Sequence, residues 1–265
     1  MTVIGTELTD KSWVGDIYGG PTLHDEDRLQ YPEHGDPAGL VKQIMAMKAL
    51  DGYVVLVDGA FDVPHPSHEG YLRHVRALAG AAFLLAKNQA ISIDNVRRVI
   101  ADETITIVTT VDADSKIAWK KSNNPTKGGV PRPIYPWIAR AERILGYTFQ
   151  TQTGTHRPVI DIATVEGDSN HTDTPFESSL HLAEHLKDQG VLDGLVIYGE
   201  HKETESEAIS RGLEPIVIPD SADGQMYGIN PQTESDWGSS AIINRAQGGS
   251  VINPITRPTH LSSFK

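Results

Sequence analysis

The chain has 265 residues, of which 38% are hydrophobic and none is cysteine, and its formal net charge is −12. The lack of cysteine excludes disulfides, thiolate nucleophiles and sulfur-ligated zinc sites, and it favours a cytoplasmic location. The acidic balance argues against a nucleic-acid partner, although a few well-placed cations suffice for one nucleotide. No apolar run has the length that crosses a bilayer and no secretion signal is visible, so we expect no membrane partner.

Helical and extended patterns alternate along the chain. Residues 1–37 are rich in Gly, Pro, Asp and His with little periodicity, which predicts an irregular arm. Beyond it the predicted order is helix 39–48, strand 53–57, a helix from about 67, helix 94–101, strand 104–108, a lysine-rich loop, helix 136–145, strand 158–162, helix 175–189, strand 194–198, helix 203–211, strand 214–218 and a short helix 239–247. Ser67 is the predicted N-cap of the second helix.

This alternation predicts crossover units and a mostly parallel sheet with helices on both faces, which is a Rossmann-like α/β fold. We divide the chain into an N-terminal arm and helix at 1–50, a main domain at 51–250 and a C-terminal tail at 251–265. In such sheets ligands bind beyond the carboxyl ends of the strands.

The most informative segment is residues 58–68, which read DGAFDVPHPSH. An apolar strand leads into a tight turn with one carboxylate and two histidines, and a helix begins beside the second histidine. Unpaired N–H groups at a helix start attract anions, and imidazoles beside them can stabilise a phosphate in transfer. The segment therefore predicts phosphoryl or nucleotidyl transfer.

Two further loops are expected at the same edge of the sheet. The lysine-rich loop carries Lys116 and Lys120 in an otherwise acidic chain, and residues 199–201 follow another predicted strand. Because the carboxyl ends of parallel strands meet at one edge, the three loops should lie close together.

Residues 59–68, GAFDVPHPSH, resemble the GxFDxxHxGH signature of the cytidylyltransferase-like nucleotidyltransferase superfamily. Further segments follow in the family's order: VDADSK at 111–116, RPIYP at 132–136 with Arg140, HTDTP at 171–175, LVIYGE at 195–200 and GSSAIINR at 238–245. The chain departs from the pattern at Ser67, where the family has glycine. Asp236 and Trp237 also stand where an arginine is frequent.

The resemblance implies an HxGH-type nucleotidyltransferase fold and transfer of a nucleoside monophosphate from CTP, or secondly ATP, to a small phosphorylated acceptor. Pyrophosphate would leave, and Mg²⁺ would be the cofactor. The family's members are often dimers, so the resemblance also allows a homodimer. The implied catalytic residues are His65, His68 and Lys116. The implied nucleotide-binding residues are Gly59, Ala60, Phe61, Asp62, Lys120, Gly199, Glu200, Ser239, Ser240 and Arg245. The implied acceptor-binding residues are Arg140, Asp112 and Trp237.

Other interpretations stay open for these residues. Asp62 could orient its loop, assist Mg²⁺ through water as the candidate metal residue, or cap a turn. Asp62, His65 and His68 could also hold a transition metal, although no third dedicated ligand is evident beside the histidine pair. Arg140 fits a surface ion pair as well as substrate binding. For the whole chain, the alternative is a nucleotide-binding regulatory module of the same fold without turnover.

Overall fold

The computed structural model describes residues 38–48, 51–64, 66–102, 104–122, 132–166, 178–198 and 202–218. The described helices are α1 (Ala38–Met47), α2 (Pro66–Ala86), α3 (Ile93–Ala101), α4 (Asp114–Ser122), α5 (Trp137–Leu145), α6 (Ser179–Asp188) and α7 (Lys202–Ser210). The strands are β1 (Tyr53–Gly59), β2 (Ile105–Asp112), β3 (Thr148–Gln150), β4 (His156–Pro158), β5 (Ile162–Glu166), β6 (Gly194–Tyr198) and β7 (Pro215–Ile218). The predicted arm, the helix at 239–247 and the tail lie outside the described residues.

Five strands form one sheet in the order β5-β2-β1-β6-β7, and all of its pairings are parallel. The strands β3 and β4 form a separate antiparallel hairpin. The predicted Rossmann-like α/β fold is therefore confirmed. Among the described helices, none has the length and apolar character needed to cross a membrane.

The sheet is buried on both faces. One core packs α2, α3 and α5 against it, and the other packs α1, α6 and α7. Side chains alternate between the two faces of a strand, so Val55 and Val57 of β1 enter the first core while Val54 and Leu56 enter the second. This explains why the central strand is a continuous apolar run rather than an alternating one.

The second helix begins earlier than predicted. It starts at Pro66, a residue that is frequent at the first helical position because its missing N–H would have no partner there. Ser67 therefore lies inside the first turn, and its predicted N-cap role is wrong. Leu72, Val75 and Ala79 lie on the inner face of this helix, and all three are fully buried.

The strand predicted at 158–162 is wrong in position. Pro158 ends the hairpin strand β4, and the ladder with β2 begins only at Ile162. The cause is Asp161, whose carboxylate accepts the N–H of Ile107 at 2.7 Å in place of a backbone carbonyl. A side chain thus occupies the ladder position just before β5.

The lysine-rich loop predicted after the second strand is also wrong over residues 114–122, which form α4. Asp114 stands in the first turn, where a negative charge is favoured by the helix dipole. Ile117 is fully buried and anchors the inner face of the helix. Residues 123–131 lie outside the described part of the chain.

Candidate active site

The strand order places a topological switch point beside β1. From β1 the chain continues to β2 and β5 on one side, and it then crosses to β6 and β7 on the other. A crevice forms beyond the carboxyl ends of neighbouring strands where the order reverses, and ligands bind in such crevices. Residues 60–64 leave β1 at this point. The residues that follow β6 there, Gly199, Glu200 and His201, lie outside the described part.

The turn after β1 is shaped by Gly59 and Phe61. Phe61 has a φ of 43°, in the left-handed region that bulky residues rarely adopt. Its ring folds back over Gly59, where an added Cβ would lie 2.6 Å from two ring carbons. The same ring meets the imidazole of His68 edge-on at 5.2 Å between centroids. Gly59 and Phe61 therefore set the position of the half-buried His68 in the first turns of α2.

The carboxylate of Asp62 connects the turn to a distant segment. It forms an ion pair with Arg132 Nε and accepts the N–H of Ile134 at 2.9 Å. Asp62 is 3% exposed, so both its oxygens are engaged inside the protein. This arrangement agrees with the loop-orienting interpretation of Asp62 and does not fit a metal ligand.

Arg140 is fully buried on α5, so its interpretation as a surface ion pair is wrong. Its guanidinium donates to the carbonyls of Ala60 and Tyr135, to the Asp112 carbonyl at 2.6 Å, and to Asp114 Oδ1 at 2.7 Å. These contacts tie the turn after β1 to the end of β2 and the start of α4. The planar fork of arginine suits several acceptors at once.

Four charged residues meet at the carboxyl ends of β1, β2 and β5, and we call them the carboxylate–lysine cluster: Asp58, Asp112, Lys116 and Glu166. Lys116 Nζ lies 2.9 Å from Asp112 Oδ1 and pairs with Glu166 Oε1. The second oxygen of Glu166 accepts the hydroxyl of Thr110 at 2.7 Å. Two carboxylates thus hold Lys116 at the edge of the sheet.

Burial and neighbouring charges shift the ionisation of this cluster. Desolvation and the charges of Asp58 and Asp112 raise the pKa of Glu166 to about 7, although Lys116 opposes the shift. Burial would lower the pKa of Lys116, but Glu166 and Asp112 outweigh it and raise the pKa above the ordinary lysine value. Near neutral pH, Lys116 is therefore charged, and the carboxyl group of Glu166 is partly protonated and partly ionised.

The described residues do not build a dedicated cation site. No group of three His, Asp or Glu side chains within them is arranged to hold a metal ion. Asp62 is committed to Arg132 and Ile134, and the carboxylates nearest to Lys116 are neutralised by it. The expected Mg²⁺ therefore has no ligand set in the part of the chain that is described.

The structure brings together part of the predicted site. Gly59, Ala60, Phe61, Asp62, His68, Asp112, Lys116 and Arg140 all lie at the carboxyl edge of the sheet or in contact with it. Lys120 lies on α4, but its side chain is outside the described part. The other predicted site residues that lie outside the description are His65, Gly199, Glu200, Trp237, Ser239, Ser240 and Arg245.

Two members of the edge were missed from sequence. Glu166 ends β5, and the prediction overlooked it because the strand was placed four residues too early. The signal was the run ending in Thr164 and Val165, whose β-branched side chains are typical of strands. The sequence places Asp58 in the turn motif without a role, whereas it belongs to β1 and its charge acts on Glu166.

We compared the chain with protein-family models and with curated proteins. No family model matches the chain, and no curated protein matches it significantly. The chemistry of the site is therefore inferred from its own residues and from the motif at 59–68.

Proposed function

We propose that this protein is a nucleotidyltransferase, which moves a nucleoside monophosphate from CTP, or secondly ATP, to a small phosphorylated acceptor. One observation carries the proposal. The turn with Gly59 and Phe61 leaves β1 at the switch point and leads directly into the start of the 21-residue helix α2, with His68 packed on Phe61. This is the place in an open parallel sheet where a phosphate is bound most readily.

The geometry around α2 suits a triphosphate. The first N–H groups of a helix have no partner within it, and the helix dipole adds partial positive charge at the same end. His68 lies two residues after the start of α2, so its imidazole is near this end. A protonated imidazole there would donate a charged hydrogen bond to a phosphate oxygen.

The proposed reaction is an in-line displacement. A phosphate oxygen of the acceptor attacks the α-phosphorus of the triphosphate and forms the new P–O bond. The bond from the α-phosphorus to the bridging oxygen breaks, and pyrophosphate leaves with that electron pair. Such transfer needs positioning and charge stabilisation rather than a covalent enzyme intermediate. His65 and His68 are the proposed stabilising residues.

Lys116 is proposed to contact the departing pyrophosphate. Its ammonium has three N–H donors, and Asp112 and Glu166 take two of them. A phosphate oxygen could take the third. Protonation of Glu166 would reduce the negative charge around Lys116, so a triphosphate should bind better below the pKa of Glu166 than above it.

The remaining assignments extend the same proposal. By resemblance, Ala60, Lys120, Gly199, Glu200, Ser239, Ser240 and Arg245 would surround the nucleotide, and Trp237 the acceptor. Asp62, Arg132 and Arg140 are proposed as positioning residues, because their polar groups already hold the turn after β1. Mg²⁺ would arrive with the triphosphate, since it keeps most of its waters and needs few protein ligands. A cytoplasmic location supplies both substrates.

The direct test is pyrophosphate release with each of the four nucleoside triphosphates and a panel of phosphorylated acceptors. We expect release with CTP or ATP and one acceptor class. His68→Ala should lower kcat by about 100-fold or more, as loss of one transition-state donor does in other enzymes. His65→Ala should have a similar effect. His156→Ala is the matched control, because His156 is exposed on the hairpin strand β4.

Two results would contradict the proposal. Equal activity of His68→Ala and the wild type would contradict the proposed role of His68 in stabilising the transition state. Tight binding of a triphosphate without pyrophosphate release on any acceptor would favour the regulatory module instead. Binding is measured separately by calorimetry with a non-hydrolysable triphosphate, so the two functions are distinguished on the same protein.

A further inference from the structure

We propose a second ligand site, for a small molecule that carries a phosphate group, in the cleft between α3 and the β3–β4 hairpin. The cleft has a volume of about 350 Å³. Pockets that bind small molecules begin at about 300 Å³, so the space suits a small metabolite. The motif in residues 59–68 and the nucleotidyltransferase proposal make no use of it.

The walls of the cleft are basic in an acidic protein. Arg97 and Arg98 line it from α3, and Arg157 lines it from β4. The carboxylate of Asp102 is the acidic group among the described lining residues. Among the described lining residues, three guanidinium groups against one carboxylate leave an excess of positive charge, in a chain whose net charge is −12. Such a local reversal favours an anionic ligand.

The partners of Arg97 and Arg98 within α3 are weak. Arg97 pairs with Asp94 at 3.3 Å, but that carboxylate is 86% exposed. Arg98 donates to Asn95 Oδ1, also at 3.3 Å. Exposed pairs of this kind contribute only about 0–1 kcal/mol, so they compete poorly with a bound phosphate. Arg98, whose contact with Asn95 is long and exposed, can therefore turn towards a ligand at little cost.

The hairpin adds hydroxyl groups on the other side. Thr151, Thr153 and Thr155 line the cleft, and their hydroxyls lie within 2.9 and 3.4 Å of one another along the turn. The floor is apolar, because Ile100 and Phe149 are 2% and 1% exposed. A ligand with a phosphate and a compact apolar part would meet both surfaces.

Phosphate is favoured over carboxylate by the number and direction of the donors. Arginines reach the cleft from two elements, α3 and β4, and the three hydroxyls come from the turn of the same hairpin as β4. A tetrahedral phosphate can accept from several sides, whereas a carboxylate uses donors near one plane. The site also lies beside the start of β2, since Asp102 closes α3 just before that strand. It is therefore remote from the carboxyl edge where the triphosphate is proposed to bind.

The test uses the full chain with inorganic phosphate as the probe. Equilibrium dialysis with radiolabelled phosphate should give an affinity that falls about tenfold or more in the double variant Arg97→Gln/Arg98→Gln. Arg143→Gln, which changes an exposed arginine on α5, should bind as the wild type does. Hydrogen exchange should slow at residues 97–102 and 149–157 when phosphate is added.

A second variant distinguishes phosphate binding in this cleft from phosphate binding at the proposed triphosphate site. In His68→Ala, slowed exchange at 149–157 should persist. Equal weakening by Arg143→Gln, or unchanged binding in the double variant, would overturn the proposal. Loss of the effect in His68→Ala would also overturn it, because binding would then belong to the carboxyl edge. Citrate that competes as well as phosphate would overturn the assignment to a phosphate ligand. Melting curves confirm that the variants are folded.

Discussion

At the residue scale, Glu166 combines almost complete burial with three charged neighbours. Because its pKa is raised from 4.5 to about 7, the folded protein binds a proton there that the unfolded chain releases. Its contribution to stability is therefore fully present below pH 4.5 and is lost as the pH rises through about 7. A shift of this size corresponds to a contribution on the order of 3 kcal/mol.

We predict that Glu166→Gln removes this loss. Glutamine is neutral at every pH. The unfolding free energy of the variant minus that of the wild type should therefore increase by up to about 3 kcal/mol as the pH rises from 5 to 8. Urea unfolding at several pH values measures this difference. His74, whose pKa burial lowers to about 4, acts in the opposite direction but equally in both proteins.

The matched control is Glu142→Gln, because Glu142 is exposed on α5. Its difference from the wild type should stay constant over the same pH range. A constant difference for Glu166→Gln as well would show that Glu166 ionises normally in the folded protein.

At the scale of elements, Arg140 connects three pieces of the site. It holds the turn after β1 through Ala60, the end of β2 through the Asp112 carbonyl, and the start of α4 through Asp114. The turn after β1 is about 50 residues before the other two segments in the chain, and each segment has polar groups that must be paired once buried. One guanidinium therefore links the turn after β1 to the end of β2 and the start of α4.

Replacement of Arg140 by methionine should destabilise the protein by about 2–5 kcal/mol, because the carbonyls of Ala60, Tyr135 and Asp112 lose their donor. Urea unfolding at pH 7 tests this value. Arg143→Met is the matched control, because Arg143 lies three residues further along the same helix and its side chain is exposed. A cost below about 1 kcal/mol for Arg140→Met would mean that water replaces the lost donors.

At the scale of the whole molecule, the two edges of the sheet carry different kinds of polar contact. At the amino edge, Arg76 is 2% exposed and pairs with Asp161, and it donates to the carbonyls of Ile105 and Val159. Asp193 accepts from Val54 N–H and from Lys48 at that same edge. These contacts bind helices to strand starts, whereas the carboxyl edge gathers His68 and the carboxylate–lysine cluster.

Substitutions at the amino edge should therefore lower the stability of the protein, whereas substitutions at the carboxyl edge should weaken ligand binding. Arg76→Met removes the cation that pairs with the buried Asp161 carboxylate and should cost about 3–5 kcal/mol in unfolding free energy, with unchanged affinity for CTP or ATP. His68→Ala should cost only about 1 kcal/mol, the value of its ring contact, and should weaken triphosphate binding. Chemical unfolding and calorimetry on both variants provide the comparison. Weaker triphosphate binding in folded Arg76→Met would contradict the division.

Much of the architecture could be predicted from local patterns. The strand 194–198 was predicted to the residue, and the helices at 39–48 and 94–101 to within one residue at each end. The failures have tertiary causes. A carboxylate from Asp161 occupies a ladder position before β5, and the buried Ile117 holds a lysine-rich segment as a helix. Neither contact can be predicted from the local periodicity of hydrophobic residues.

For the candidate site, the sequence alone determined the turn at 59–68 and its place after a strand and before a helix, because these depend on residues that are neighbours in the chain. Only the tertiary structure decided which charges meet. Asp62 and Arg132 are 70 residues apart, and Lys116 and Glu166 are 50 apart. Their pairing follows from the strand order and from burial that requires a partner for every charge. The sequence predicts Lys116 as a site residue, while the structure alone reveals the carboxylates that hold it.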